Sequence, residues 1–339
     1  MKAAQLVSYR KPLEIREVDT PEPSGEQVLV RIAGAGVCHS DLHLIEGMFP
    51  LPFLPLTLGH ENTGYVENIG SRVTGFEQGA PVAVYGAWNR RSDRFSWKGE
   101  GNLSNVNDWV GVGHNGGYAE YLLVPTYKYL LPLNEIDPVR ATPLVDAGLT
   151  SYRAINKLRS NVYPGSTVVL IGIGGQGQYA VQYSKLMLPQ VKTVAIDIDD
   201  SKLAAARKLG ADEIINSACD NPLKIIKDIT NDEGCQGVVD FVGSSETMNM
   251  AYSLLGRQGK MVIVGLNGGK LEIVPDMLVN EAEVTTSNWG TMLELSEVIS
   301  LAESGKLKIQ FEKMGLDSVN EALEKLSSGS VNGRMILTP

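Results

Sequence analysis

Cysteine and histidine are scarce in this chain, with 3 Cys and 4 His among 339 residues. Three cysteines (Cys38, Cys219, Cys235) cannot build a disulfide framework, so a reducing, cytoplasmic setting is expected. Positive charge is not in excess either. The 30 basic residues against 39 acidic ones leave a formal net charge of −9, which argues against nucleic acid or an anionic membrane as a partner. No apolar run approaches the roughly 20 residues a membrane span needs. The N-terminal stretch MKAAQLVSYRKPLEIREVD lacks the apolar core of a secretory leader. Internal repeats and low-complexity segments are missing too. What remains is the profile of a soluble globular protein.

The length suggests two domains. Residues 1–145 read mostly as short strands, among them VLVRIAGAGV (28–37), NTGYVENIG (62–70), APVAVYG (80–86) and GGYAEYLLVP (116–125), separated by Gly-rich turns. From about residue 165 strand and helix signals alternate. TVVLIGI (167–173) is a continuous β-branched run, as a strand buried on both faces requires. Repeated βα units follow it and predict a doubly wound parallel sheet. After about residue 288 the pattern loosens into helices at 291–304 and 318–327 and a final strand, RMILTP, which could rejoin the first domain.

The first βα turn reads Gly172-Ile-Gly174-Gly175-Gln176-Gly177. After a strand and at the mouth of a helix, G-x-G-x-x-G has a mechanism. The first glycine makes the turn and the second admits a pyrophosphate to the backbone. The third lets the helix pack on the strand, with its free N–H groups facing the phosphates. Asp197 ends the next strand, KTVAID, where a carboxylate can hold the adenosine ribose hydroxyls and repel a 2′-phosphate. The expected cofactor is therefore NAD rather than NADP.

Polar chemistry gathers in three islands. GVCHSDLH (36–43) holds Cys38, His39, Ser40, Asp41 and His43; LGHENTG (58–64) holds His60 and Glu61; PLVDAGLTSY (143–152) has Asp146 as its one charge. A carboxylate in an apolar run is costly unless paired or bound to a cation. Cys thiolate, His imidazole and Asp carboxylate together would make a three-ligand zinc site with an open fourth position, the arrangement of catalytic zinc.

With these motifs and the terminal NGRMILTP, the chain resembles, over essentially its full length, the zinc-dependent medium-chain alcohol dehydrogenases, and most of all prokaryotic NAD-dependent secondary-alcohol dehydrogenases, or carbonyl reductases. The resemblance implies a GroES-like, mostly β catalytic domain (1–149 and 288–339) and a Rossmann NAD-binding domain (150–287). It puts the active site in the cleft between them, with closure on cofactor binding, and implies a homo-oligomer, a tetramer. It makes Cys38, His60 and Asp146 the zinc ligands, Asp146 standing where many members have a second cysteine. It makes Asp41 the carboxylate that orients the histidine ligand, and Glu61 a carboxylate behind the metal. Ser40 falls beside the substrate oxygen and His43 at the end of the proton relay. His39 and Arg334 fall at the pyrophosphate, Lys202 at the adenosine ribose and Thr150 behind the nicotinamide. Read singly, His39 also fits a solvated loop, His43 an outer helix face and Ser40 an N-cap.

Many relatives carry a structural zinc in a four-cysteine lobe after VAVYG. Here residues 86–111 contain no cysteine, so one catalytic zinc and no structural one is expected. Charge pairs of Arg90, Arg91 and Arg94 with nearby acids, plus tryptophan packing, would hold that lobe. Phe49, Trp88, Trp109 and Trp289 are candidate walls of a pocket for medium-sized or aromatic secondary alcohols and ketones. Cys219 and Cys235 have no partner chemistry around them. Three alternatives stay open: a polyol or sugar dehydrogenase on the same scaffold, a zinc-free quinone or enoyl reductase, and a non-catalytic NAD sensor.

Overall fold

Two kinds of strand sort this chain into two units. One unit holds a parallel sheet around the wholly buried strand Thr167–Ile171, and the other a mostly antiparallel sheet. The structure is a computed structural model and describes residues 1–88, 93–105, 108–188, 190–273 and 280–339. Its two units are Met1–Asp146 with Gly290–Pro339, and Ala147–Trp289. The domain boundaries expected from sequence lay at 149/150 and 287/288.

In the unit Ala147–Trp289, every residue of Thr167–Ile171 is buried. That strand sits in the middle of a six-stranded sheet. The order is Glu213–Asn216, Lys192–Asp197, Thr167–Ile171, Cys235–Asp240, Leu255–Ile263, Glu283–Thr286. All neighbours run parallel. Numbered within the unit the order is 3-2-1-4-5-6, that of dinucleotide-binding folds. The helices between strands begin and end where their sequences say. Asp199 caps Asp200–Leu209 by accepting the Ser201 and Lys202 N–H groups, and Gly210 closes it at φ 114°. Asn221 caps Pro222–Thr230, which has proline in its first turn.

The other unit is a mostly antiparallel sheet in the order Phe311–Gly315, Arg334–Thr338, Val28–Val37, Glu61–Ile69, Pro81–Val84, Leu130–Pro132, with Tyr121–Val124 also pairing with Val28–Val37. Lys2–Leu6 joins Glu14–Glu17 and Leu56–Thr57 in a smaller sheet. One hydrophobic cluster runs through Val28, Val30, Leu58, Val84, Tyr118, Leu323 and Leu337. The run 116–125, read from sequence as a single strand, is a strand only over Tyr121–Val124. Upstream, Gly116 and Gly117 bend the chain so that Gly116, Gly117 and Tyr118 donate to Thr57, Gly59 and Leu58 carbonyls. Among the described residues no helix is long and apolar enough to cross a membrane.

Candidate active site

Three neighbouring strands of the first unit bring their ends together. Val28–Val37 runs into Cys38, Glu61–Ile69 begins just after His60, and Arg334 opens Arg334–Thr338. Register does the placing. Gly36 pairs with Glu61, and Met335 pairs with Val37, so Arg334 and Cys38 lie one step beyond that pair. Gly36 is needed here for its missing side chain, since a Cβ would come within 2.2 Å of a Glu61 carboxylate oxygen. Asp146 arrives from the following segment, which the sheet pins through hydroxyls. Thr63 Oγ1 and Thr142 Oγ1 are 2.7 Å apart, and each bonds the Pro138 carbonyl.

The result is a buried cluster of Cys38, His60, Glu61 and Asp146 whose donor atoms all lie within 4.8 Å of one another. Asp146 Oδ2 is 3.6 Å from Cys38 Sγ and 4.0 Å from His60 Nε2. A tetrahedral ion with Zn–S, Zn–N and Zn–O bonds of about 2.0–2.3 Å separates its ligands by about 3.4–3.6 Å. The three donors expected from sequence thus stand near the spacing of a zinc shell and are chemically suited to it, so the residues fit the metal. Glu61 Oε1 is 3.9 Å from His60 Nε2. Burial pushes the Glu61 carboxyl up to about 7, with the Arg334 guanidinium pulling the other way.

Arg334, expected at a pyrophosphate, meets the carboxylates of this cluster within its own unit. It is buried, and its Nε donates to Glu61 Oε2 at 3.0 Å while Nη2 donates to Glu61 Oε1 and, at 2.9 Å, to Asp146 Oδ2. The physical reason is charge: two buried carboxylates beside a thiol need a cation, and a bidentate guanidinium meets them without a metal. Sequence analysis missed this role. The one signal was a charged residue opening an otherwise apolar strand.

A second layer surrounds the cluster. Cys38 sits at the start of the helix His39–Ile45. Asp41, buried on that helix, accepts the Cys38 N–H at 2.9 Å through Oδ2, and its Oδ1 lies 3.3 Å from His60 Nδ1. Burial opposes a charge on His60, but the Asp41 carboxylate and the Cys38 sulfur outweigh it and raise its pKa well above the ordinary 6.5. Ser40 Oγ is 3.5 Å from Cys38 Sγ and half-buried. His43 lies one turn on. Burial lowers its pKa, which the Asp41 charge only partly offsets. His39 is exposed at the head of the helix.

The second unit holds the Gly-rich turn. Gly172 adopts φ 86°, and a Cβ on Gly177 would strike the Gly172 carbonyl at 2.1 Å. At Gly174 a Cβ would meet nothing within 4 Å. The first glycine makes the turn, the last permits close packing, and the middle one leaves backbone open to an approaching phosphate, so the turn fits a dinucleotide. Gly175 and Gln176 complete the turn ahead of the helix Gly177–Met187. Asp197 holds the turn too. Its Oδ2 accepts the Ile173 N–H at 2.6 Å and its Oδ1 those of Ile198 and Asp199. Lys202 lies in the first turn of the next helix, and Thr150 is buried in the helix Ala147–Asn156.

The candidate pocket walls divide. Phe49 is exposed, with Met48 and Phe53 exposed beside it. Trp109 is half-buried. Trp289 is buried at φ 47°. Trp88 needs correcting from pocket wall to core: it is 2 % exposed and stacks on Tyr129 with 6.5 Å between ring centroids. In the cysteine-free lobe, Arg90 and Arg91 lie outside the described residues. Arg94 sits over the ring of Phe95 at 4.6 Å. Asp93 caps the short helix Arg94–Trp97 and takes the Ser104 hydroxyl, and Asp108 faces His114 at 3.7 Å.

Comparisons with known proteins agree with both halves. Residues 24–135 match the family described as alcohol dehydrogenase GroES-like domain, and 175–304 that described as zinc-binding dehydrogenase. The chain is 37% identical to an NAD-dependent alcohol dehydrogenase of Sulfurisphaera tokodaii, covering 100% of both chains. It is 35% identical to a D-arabinose 1-dehydrogenase (NADP(+)) of Saccharolobus solfataricus, covering 100% of this chain and 97% of that protein. The solved alcohol dehydrogenase of the archaeon Aeropyrum pernix superposes with a TM-score of 0.93 at 39% identity, covering 100% of both chains.

Proposed function

The chain belongs to the zinc-dependent medium-chain alcohol dehydrogenases, and on that premise we propose that it interconverts medium-sized or aromatic secondary alcohols and their ketones with NAD as the hydride partner. The observation that carries the reading is the convergence of Cys38, His60 and Asp146 at one end of the sheet. Zinc held by these three residues would supply Lewis acidity that lowers the pKa of the alcohol hydroxyl, and NAD⁺ a hydride acceptor.

The remaining roles belong to the chain. Ser40, whose Oγ lies 3.5 Å from Cys38 Sγ, takes the hydroxyl proton and passes it towards His43. His43 receives it as a neutral base, because burial disfavours its charged form. Asp41 holds the His60 ring so that Nε2 faces the metal position. Glu61 and Arg334 remain paired behind the ligands and cancel each other's charge. Asp197 favours NAD over NADP, because a second negative group at the ribose would face its carboxylate. The open backbone at Gly174 receives the pyrophosphate, and His39, Lys202 and Thr150 contribute further cofactor contacts. Phe49 supports an apolar substrate. A cytoplasmic homo-tetramer with no structural zinc completes the reading, the last because residues 86–111 have no cysteine.

The D-arabinose 1-dehydrogenase among the relatives favours one rival, a sugar or polyol dehydrogenase. The deciding experiment is elemental analysis of the purified chain together with an NAD-linked activity panel of secondary alcohols and polyols. About one zinc per chain, with activity on secondary alcohols lost on chelation, is expected. Two zinc ions would overturn the single-site reading, activity on polyols alone would select the rival, and no zinc would remove the metal chemistry altogether.

A further inference from the structure

Tyr118 stands in none of the motifs, yet it touches the surroundings of two candidate ligands. Its side chain is fully buried. Its backbone is held at both ends, the N–H by the Leu58 carbonyl at 2.9 Å and the carbonyl by the Ala4 N–H at 2.7 Å. The ring lies over Gly59, the residue before His60, where an added Cβ would come 2.5 Å from a ring carbon. The hydroxyl ends 2.7 Å from Asp41 Oδ2 and 3.2 Å from the Gly36 carbonyl. Both neighbours are acceptors, so the phenol must donate, and the shorter contact gives Asp41 the proton.

Asp41 Oδ2 therefore takes two donors, the Tyr118 hydroxyl and the Cys38 N–H. That leaves Oδ1 for His60 Nδ1, 3.3 Å away. A carboxylate fixed in this way keeps the imidazole proton on Nδ1 and presents the Nε2 lone pair to the metal position. We propose that Tyr118 is a positioning residue for the metal centre: its hydroxyl locks the Asp41 carboxylate, which in turn orients the ligand His60. This rests on the zinc reading above. Without the hydroxyl, Asp41 loses a charge-assisted bond and gains freedom to rotate, and the His60 ring loosens with it.

The test is the Y118F variant, which removes one oxygen and keeps the ring. Its control is Y183F, which removes the hydroxyl of an equally buried tyrosine in the other unit, packed edge-on to Tyr152 at 5.2 Å. Zinc release to a chromophoric chelator is followed for both and for the unmodified chain, and the cobalt-substituted proteins are compared by visible absorption. Partners of metal ligands change metal affinity by roughly 10- to 100-fold. The expected result for Y118F is release about 10-fold faster and a shifted cobalt spectrum, with Y183F matching the unmodified chain. The melting temperature gained on adding zinc should also shrink in Y118F, whereas a purely structural role would lower the zinc-loaded and zinc-stripped values equally.

Unchanged release and spectrum in a zinc-loaded Y118F overturn the inference alone. So does a Y118F chain that fails to fold with or without zinc, because a hydroxyl acting only through Asp41 is not needed for the sheet. An unmodified chain that holds no zinc overturns the zinc reading and this inference with it.

Discussion

Arg334 Nη2 lies 2.9 Å from Asp146 Oδ2, the same oxygen that faces Cys38 Sγ at 3.6 Å and His60 Nε2 at 4.0 Å. One guanidinium thus serves a candidate ligand, Asp146, and the carboxylate behind it, Glu61. Removing one partner of a buried ion pair costs about 3–5 kcal/mol, because the other charge stays behind unpaired. R334M should therefore destabilise the zinc-stripped protein by roughly that amount, and the zinc-loaded protein by less, since the metal faces the same carboxylates. Urea unfolding with zinc and with chelator measures both. Equal losses in the two states would show that Arg334 and the metal do not act on the same charges.

The Gly-rich turn separates folding from binding. A Cβ at Gly174 meets open space, so G174A should fold normally and bind NADH at least 10-fold more weakly. A Cβ at Gly177 would sit 2.1 Å from the Gly172 carbonyl, so G177A should lose stability by about 1–3 kcal/mol. Thermal melts beside NADH fluorescence titrations distinguish the two. G174A binding NADH as the unmodified chain does would show that the pyrophosphate lies elsewhere.

Asp197 is the test of cofactor choice. Its carboxylate already takes three backbone N–H groups. D197S should reduce the preference for NAD over NADP by roughly 10- to 100-fold, the equivalent of the about 1.5–3 kcal/mol of a hydrogen bond to a charged group. It should also lower the melting temperature slightly, because Ile173 loses its anchor. The ratio of kcat/KM for the two cofactors is the readout, and an unchanged ratio would sink the assignment.

His43 sets an acid limb. Burial lowers its pKa below the ordinary 6.5 despite the Asp41 charge, so the ring stays neutral to lower pH than a free histidine. Alcohol oxidation needs that neutral base, and kcat/KM should hold through pH 6.5 and fall only below it. H43Q should remove this limb and slow oxidation about 100-fold near neutrality, with zinc content unchanged. The sign for stability follows. The unfolded chain takes up the proton that folded His43 resists, so this group costs stability as pH falls through 6.5. An acid limb identical in H43Q would assign the base elsewhere.

Much of the architecture was legible in the sequence because it is written locally. A β-branched run such as TVVLI reads as a strand buried on both faces. A glycine triplet after it, at the mouth of a helical pattern, reads as a tight turn. A cysteine, a histidine and an isolated aspartate, each in its own island, offered a candidate donor set by their chemistry. What pairs with what across 100 or 200 residues was not written anywhere local. Arg334 meets Glu61 from 273 positions away. Tyr118 reaches Asp41 from 77 positions away. Both depend on register. Gly36 opposite Glu61 and Val37 opposite Met335 put Arg334 on the cluster, and a slip of one residue would turn its side chain to the other face of the sheet. Composition could equally not say that Trp88 would fill the core, since an indole serves a core and a pocket wall alike until its neighbours are in place. The sequence by itself determined which groups are available, because ionisation, ligand type and backbone preference belong to single residues. The tertiary structure alone decided which of them share a charge, a proton or a metal, because those depend on distances that only folding sets.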